Sequence, residues 1–457
     1  MTSAATIDRA RVRALREAED ARFIAERPKS MALLERARAS MPRGVPMAWM
    51  DDLYEHPPVW VSHGEGSRFT DADGHTYLDM YIADMSLFCG HAPGPVVDAV
   101  ARRMGRGNQF LLPTEESIEV AEDLAARYGR PLWQFTLAAT QANTEVIRIA
   151  RELTGREVVL LFEGKYLGEG DSTLVVLKDG AVVPEARGLP RSVTGQARVI
   201  PFNDTNALEA ALEPRDVALV LAEPALTNVG LVLPQPGFHD ALRGLTREAG
   251  TLLAIDETHT LVSAHGGLTG AWGLDPDVVV VGKSIAAGVP IGAYGMGPEV
   301  AAALAPAPEP WNSLGLPVEE VATGGTLFGN PLSMAAARVA LLDLLTEDAF
   351  DRTAALGERM AGGLREAIER AGLPWSVVQA GGHAYYFFVP EPPVDGAASR
   401  LGDDTELRAL SRVFMANRGV WESGWWLGPT VSIAHDERDV DRYVELFDDF
   451  VAAVTSP

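Results

Sequence analysis

The pattern of apolar and polar positions divides the chain into four stretches. Residues 1–40 are charged and helical in pattern, and Pro42-Arg43-Gly44-Val45-Pro46 breaks that helix. Residues 59–82 alternate in the manner of strands around a turn at Asp71-Ala72-Asp73-Gly74. From about 95 to 330, short apolar runs dominate, at 133–137, 158–162, 217–222, 252–255 and 278–281. Helical segments such as 143–152, 207–212 and 238–249 separate them. Apolar strands alternating with helices predict a mostly parallel central sheet with helices on both faces, an α/β fold. Beyond Gly329-Asn330-Pro331 the order becomes helix (333–345), helix (354–371), strand (385–389), helix (406–416) and helix (437–454), with 391–400 as a solvent loop. That tail predicts a smaller α+β domain. The expected division is 1–94 as an N-terminal segment joining the small domain, 95–332 as the large domain, and 333–457 as the C-terminal small domain.

Composition narrows the function. Hydrophobic residues make up 47% of the 457 positions and charged residues 22%, the balance of an ordinary globular protein. The formal net charge of −24 argues against nucleic acid and anionic membrane surfaces as partners, because both are bound through basic patches. Cys89 is the sole cysteine, so an internal disulfide is excluded and a reducing compartment is expected. With no apolar signal core and no apolar run of membrane-spanning length, the expected location is the cytoplasm. His259 beside Glu257 has no His-Glu-x-x-His partner, so a metal is not expected.

Basic residues are almost all arginine, and the four lysines are Lys29, Lys165, Lys178 and Lys283. Lys283 follows the run Val278-Val279-Val280-Val281-Gly282, which places an amine at the mouth of a buried sheet. An amine there can be desolvated and condense with an aldehyde. A second apolar strand ends in Asp256-Glu257. An acid and a lysine on neighbouring strand ends are what pyridoxal 5′-phosphate requires: the acid keeps the ring nitrogen protonated and the lysine holds the aldehyde carbon. Phe135 to Asn143 reads as strand, small-residue turn and helix start, a phosphate site made of open N–H groups, with the Thr140 hydroxyl in reach. Tyr166 follows another strand, Glu223-Pro224 ends a third, and Gly324-Gly325-Thr326 opens a glycine-rich loop.

In this order these segments resemble the class III aminotransferases of fold type I, the family that includes glutamate-1-semialdehyde aminomutase. The matches are Asp73-Gly74, Gly90-His91, Glu223-Pro224, Asp256-Glu257, Gly282-Lys283, and Gly325-Thr326 through Asn330-Pro331, spanning about 35–455. The resemblance implies a Schiff base between Lys283 and the cofactor, with Lys283 then shuttling the proton. It implies Asp256 at the pyridinium nitrogen, Tyr166 stacked on the ring, Ala139 and Thr140 at the phosphate, and Glu223 ordering the site. It also implies Thr326 reaching the phosphate of a neighbouring subunit, hence a homodimer with sites at the interface. The expected activity is transfer of an amino group from an amine or amino acid donor to a keto acid or aldehyde acceptor. A 2,1-aminomutase is the first alternative and a cofactor-binding protein without transaminase activity the second.

Four departures qualify the resemblance. Ala138-Ala139-Thr140-Gln141 stands where the family has Ser-Gly-Thr-Glu, and Leu167 replaces a histidine after Tyr166. Met47-Ala48-Trp49-Met50 occupies the stretch where many members keep a carboxylate-binding arginine, and Trp421 to Trp426 occupies another. Met47, Trp49 and Tyr166 are the candidate substrate-pocket residues, in a mainly apolar lining suited to amines or aromatic amino compounds.

Overall fold

The computed structural model describes residues 7–305, 321–424 and 426–455. Three strands come first, β1 (Val61–Glu65), β2 (Arg68–Asp71) and β3 (Thr76–Asp79), paired antiparallel in sequence. Then follow β4 (Leu132–Thr136), β5 (Val158–Phe162), a hairpin of β6 (Val175–Lys178) and β7 (Ala181–Pro184), and β8 (Ala197–Ile200). The last are β9 (Val217–Ala222), β10 (Leu252–Asp256), β11 (Val278–Gly282), β12 (Gly292–Met296), β13 (Ser376–Ala380), β14 (His383–Phe387) and β15 (Val420–Trp421).

Seven of these form the main sheet in the order β4-β12-β11-β10-β9-β5-β8. All neighbours run parallel except at β12, which is antiparallel to both β11 and β4. Strand alternation sorts the side chains to two faces. Val159, Leu161, Leu219, Leu221 and Ala254 join one apolar cluster with Ala142, Val146 and Ile149 of the helix Ala139–Thr154. Leu160, Val220, Leu253 and Ile255 join the opposite one with Phe162, Phe202 and Phe238. Each such fully buried aliphatic side chain stabilises the fold by roughly 1.5–3 kcal/mol relative to exposure. With both faces covered, the strands must be apolar throughout, which explains the runs seen in the sequence.

The two ends of the chain meet. β3 pairs in parallel with β15, Leu78 opposite Val420. The helix Arg9–Ala25 packs on the helix Thr405–Ala416. Arg27, buried between them, donates to the Tyr77 hydroxyl (2.8 Å) and to Asn417 Oδ1 (3.0 Å).

Several predicted elements shift. The helix after β4 begins at Ala139, not 143, because small residues start it without a capping side chain. The predicted helix 333–345 is α-helical only over Pro331–Val339 and then widens into a π turn, Ala340–Leu344. The expected loop 391–400 carries a short helix, Gly396–Leu401, capped by Asp395 and anchored by the buried Ser399 hydroxyl on the Val229 carbonyl. β12 was not expected, since Gly-Ala-Tyr-Gly-Met lacks the usual strand formers. Its Gly295 is required there because a Cβ would run into the Trp133 ring.

Candidate active site

Strand pairing brings three chemical groups together. β9, β10 and β11 are neighbours, and Glu223, Asp256 and Lys283 stand at their carboxyl ends, where open α/β sheets bind ligands. Lys283 itself turns left-handed, at φ 50°, so the strand stops and a 3-10 turn, Lys283–Ala286, begins. All three line one cavity of about 370 Å³, together with Ala139, Thr140 and Tyr166.

Asp256 is 5% exposed. Its Oδ2 accepts from Asn143 Nδ2 (2.6 Å) and its Oδ1 from the Thr258 amide (2.9 Å), so the carboxylate is held from both sides. Glu223 accepts from the amides of Tyr166 (3.2 Å) and Thr227 (3.1 Å) and from the Thr227 hydroxyl (2.5 Å). Burial nevertheless pushes its carboxyl up to about 7. The one Thr227 hydroxyl proton goes to Glu223, so His259 Nδ1 donates to Thr227 Oγ1 across 2.8 Å. That assigns the free lone pair to His259 Nε2, which meets Lys283 Nζ. Burial, then the Lys283 charge, lowers the His259 pKa and keeps the ring neutral near pH 7. Lys283 Nζ donates to Asp84 Oδ2 at 2.6 Å, and Asp84 Oδ1 accepts from Trp426 Nε1 at 3.2 Å. Burial works to raise the Asp84 carboxyl, but the Lys283 ammonium beside it outweighs that and holds it far below the usual carboxylate range. A continuous polar chain thus runs Glu223–Thr227–His259–Lys283–Asp84–Trp426.

The cavity fits pyridoxal 5′-phosphate. The helix Ala139–Thr154 starts at Ala138 without a side-chain cap, leaving first-turn N–H groups of Ala139 and Thr140 without intrahelical partners beside the cavity. Gly168, at φ 87°, lies so close that a Cβ would run into Thr140. The Thr258 hydroxyl, also on the lining, is buried without a protein partner. An acid for the ring nitrogen, an amine for the aldehyde and a helix start for the phosphate therefore share one space.

Of the residues singled out from the sequence, Trp49, Ala139, Thr140, Tyr166, Glu223, Asp256 and Lys283 line the cavity. Met47 does not. The 3-10 turn Ala48–Asp51 sets Trp49 at the cavity edge against Trp426, ring centroids 5.4 Å apart; Trp49 and Met47 are both exposed, but Met47, ahead of the turn, does not face the cavity. Thr326 is exposed and outside this cavity, its carbonyl accepting from the Gln109 side chain. Of the C-terminal tryptophans, Trp421 is buried against Tyr54 and Tyr77, Trp426 is buried behind the lining residue Asp84, and Trp425 lies outside the described residues. The expected apolar lining is broken by Asp84, which sequence reading missed along with Asn143, Thr227 and the non-metal role open to His259. Asp84 sits in Ile-Ala-Asp-Met, a context with no motif to mark it, whereas His259 lay three residues past Asp256 and was legible as a neighbour.

Comparison with known proteins agrees with this geometry. The family profile described as "Aminotransferase class-III" matches residues 50–382. The glutamate-1-semialdehyde 2,1-aminomutase of Desulfitobacterium hafniense is 33% identical over 432 residues, covering 91% of this chain and 96% of the relative. The crystal structure of a glutamate-1-semialdehyde aminomutase from Pseudomonas aeruginosa superimposes with a TM-score of 0.92 at 36% identity, covering 98% and 99% of the two chains. An omega-transaminase from Sphaerobacter thermophilus follows at 0.84 and 32%, with 93% and 97% covered. The fold and site define a fold type I, pyridoxal-phosphate-dependent enzyme. The chain belongs to the class III aminotransferase family. The expected aminotransferase holds at family level.

Proposed function

We propose that the chain shifts an amino group between adjacent carbons of one small molecule, a 2,1-aminomutase type of reaction. The observation that carries amine chemistry is the Lys283 amine and the Asp256 carboxylate on neighbouring strand ends over an open helix start. Full-length likeness to aminomutases favours transfer within one molecule. When bound, pyridoxal 5′-phosphate supplies an aldehyde that captures amines and a ring that draws electrons from the captured carbon. Lys283 holds the aldehyde carbon and, once released, carries the proton to and from the amine-bearing carbon through Nζ. Asp256, oriented by Asn143 and Thr258, keeps the ring nitrogen protonated. Ala139 and Thr140 hold the phosphate, and Tyr166 covers a ring face. Glu223 acts through Thr227 to fix the tautomer of His259, which leaves a lone pair for the Lys283 amine.

The second reading, a two-substrate aminotransferase, is supported by the likeness to the omega-transaminase and by a cavity lining without arginine among the described residues. We also propose a cytoplasmic homodimer. Phe110, Leu111, Leu112 and Leu327 are 49–71% exposed near Thr326, an apolar surface suited to a second copy, across which Thr326 would serve the partner's phosphate. The test is to incubate the purified holoenzyme with vicinal amino aldehydes, each alone. Turnover without any added acceptor is expected; strict dependence on a separate keto acid or aldehyde would move the assignment to the second reading.

A further inference from the structure

Four consecutive residues, Ile82 to Met85, have left-handed φ values of 43°, 47°, 59° and 63°, and none is glycine. Left-handed geometry disfavours each such residue by roughly 1–2 kcal/mol. Strain of this kind persists only where the surroundings enforce it, and it concentrates at functional sites. Here the surroundings do enforce it. Asp79 Oδ1, at the end of β3, accepts the amides of Tyr81 (3.1 Å) and Ile82 (2.9 Å). The Ser284 hydroxyl, next to Lys283, bonds to the Met85 carbonyl. Ile82 and Met85 are buried. The result of this turn is one side chain in the cavity, Asp84.

The packing around Asp84 is aromatic. Trp426 fixes Oδ1 through its indole N–H, Trp49 packs on Trp426, and Tyr81 meets Trp426 edge-on with centroids 6.5 Å apart. Among the described residues, the basic side chains on the lining are Lys283 and the neutral His259. A substrate carboxylate therefore finds no guanidinium among the described lining residues. Once Lys283 is engaged by the cofactor, Asp84 Oδ2 loses its ammonium partner, and a half-buried carboxylate without a counter-charge is unfavourable. A cation beside that carboxylate and the Trp49 ring regains both the charge pairing and the attraction of the ring quadrupole.

We propose that Asp84, held in place by Trp426, and Trp49 form a subsite for a second ammonium group on the substrate, so that the enzyme selects diamine-like amino compounds over amino carboxylates. This rests on the Lys283–cofactor reading above and names the substrate class of the same site. The test uses the holoenzyme and three matched probes: 1,4-diaminobutane, butylamine and 4-aminobutanoate. Binding is followed by cofactor absorbance and by calorimetry. The diamine is expected to bind at least about tenfold tighter than butylamine, with 4-aminobutanoate weakest. Asp84→Asn should bring the diamine-to-butylamine ratio close to one, while Asp84→Glu keeps a preference for the diamine. Asparagine tolerates left-handed φ, so the turn should survive, which circular dichroism and retained cofactor absorbance verify. A wild-type ratio near one, tightest binding of 4-aminobutanoate, or an unchanged ratio in Asp84→Asn would each overturn the subsite. A wild-type protein that never acquires cofactor absorbance would instead defeat the reading on which it rests.

Discussion

The floor and the roof of the cavity are built by opposite means. The floor comes from regular structure: three adjacent parallel strands deliver Glu223, Asp256 and Lys283, and a helix start supplies the anion site. The roof comes from irregular segments far apart in the chain: the 3-10 turn at Trp49, the left-handed turn at Asp84 and the stretch around Trp426. Strand ends can hold any pyridoxal-phosphate chemistry in register. What distinguishes one substrate from another falls to turns whose shapes are free to vary. The same division appears in the two acids. Burial, with a smaller push from the Asp256 charge, raises Glu223 to about 7, while Asp84, facing the Lys283 amine, is driven the other way.

Breaking the floor should have the largest effect. Lys283→Ala is expected to reduce turnover by about 10⁴-fold or more while the cofactor remains bound, seen as a shifted visible spectrum without catalysis. Activity near wild type would remove Lys283 from its role. Asp256→Asn should cost about 10²–10³-fold in kcat, since an amide cannot keep the ring nitrogen protonated; stopped-flow comparison with wild type measures it.

Smaller effects sharpen the contrast between the acids. The Glu223 carboxyl has a folded pKa of about 7 against an ordinary 4.5, so the unfolded chain releases that proton first as pH rises. The associated stability is complete below about pH 4.5 and lost as pH climbs through 7, by up to about 3 kcal/mol. Denaturant titrations at several pH values should show Glu223→Gln flattening that decline, and an identical slope in the variant would count against it. The smallest change tests the roof. Ala83→Gly, at φ 47°, should raise stability by about 1 kcal/mol, because glycine relieves the left-handed turn. A loss of that size, as in a helix interior, would mean the turn is not strained.

The floor was legible in the sequence because its physics is periodic. Apolar runs with polar ends announce buried strands and place their last residues at one edge, so Asp256 and Lys283 stood out from five or six letters each. Boundaries slipped where composition was atypical, as at β12, whose glycines make room for Trp133, and at the helix beginning on Ala139. The roof had no such signature. Asp84 lies between apolar residues in an ordinary tetrapeptide, and its meaning depends on four backbone angles and on Trp426, 342 positions away. Trp49 was found because a tryptophan is conspicuous, and Met47 was grouped with it only because a linear string does not say which way a turn faces.

The pairing of β3 with β15 carries a consequence for biosynthesis. A nascent polypeptide emerges from its N-terminus, so the sheet bearing Asp256 and Lys283 can assemble before the last stretch of the chain has emerged from the ribosome. Leu78 must wait for Val420, and Asp84 for the indole of Trp426. The vitamin-binding half is thus ready before the half that chooses what to act upon, and the catalyst becomes selective only with the final stretch of translation.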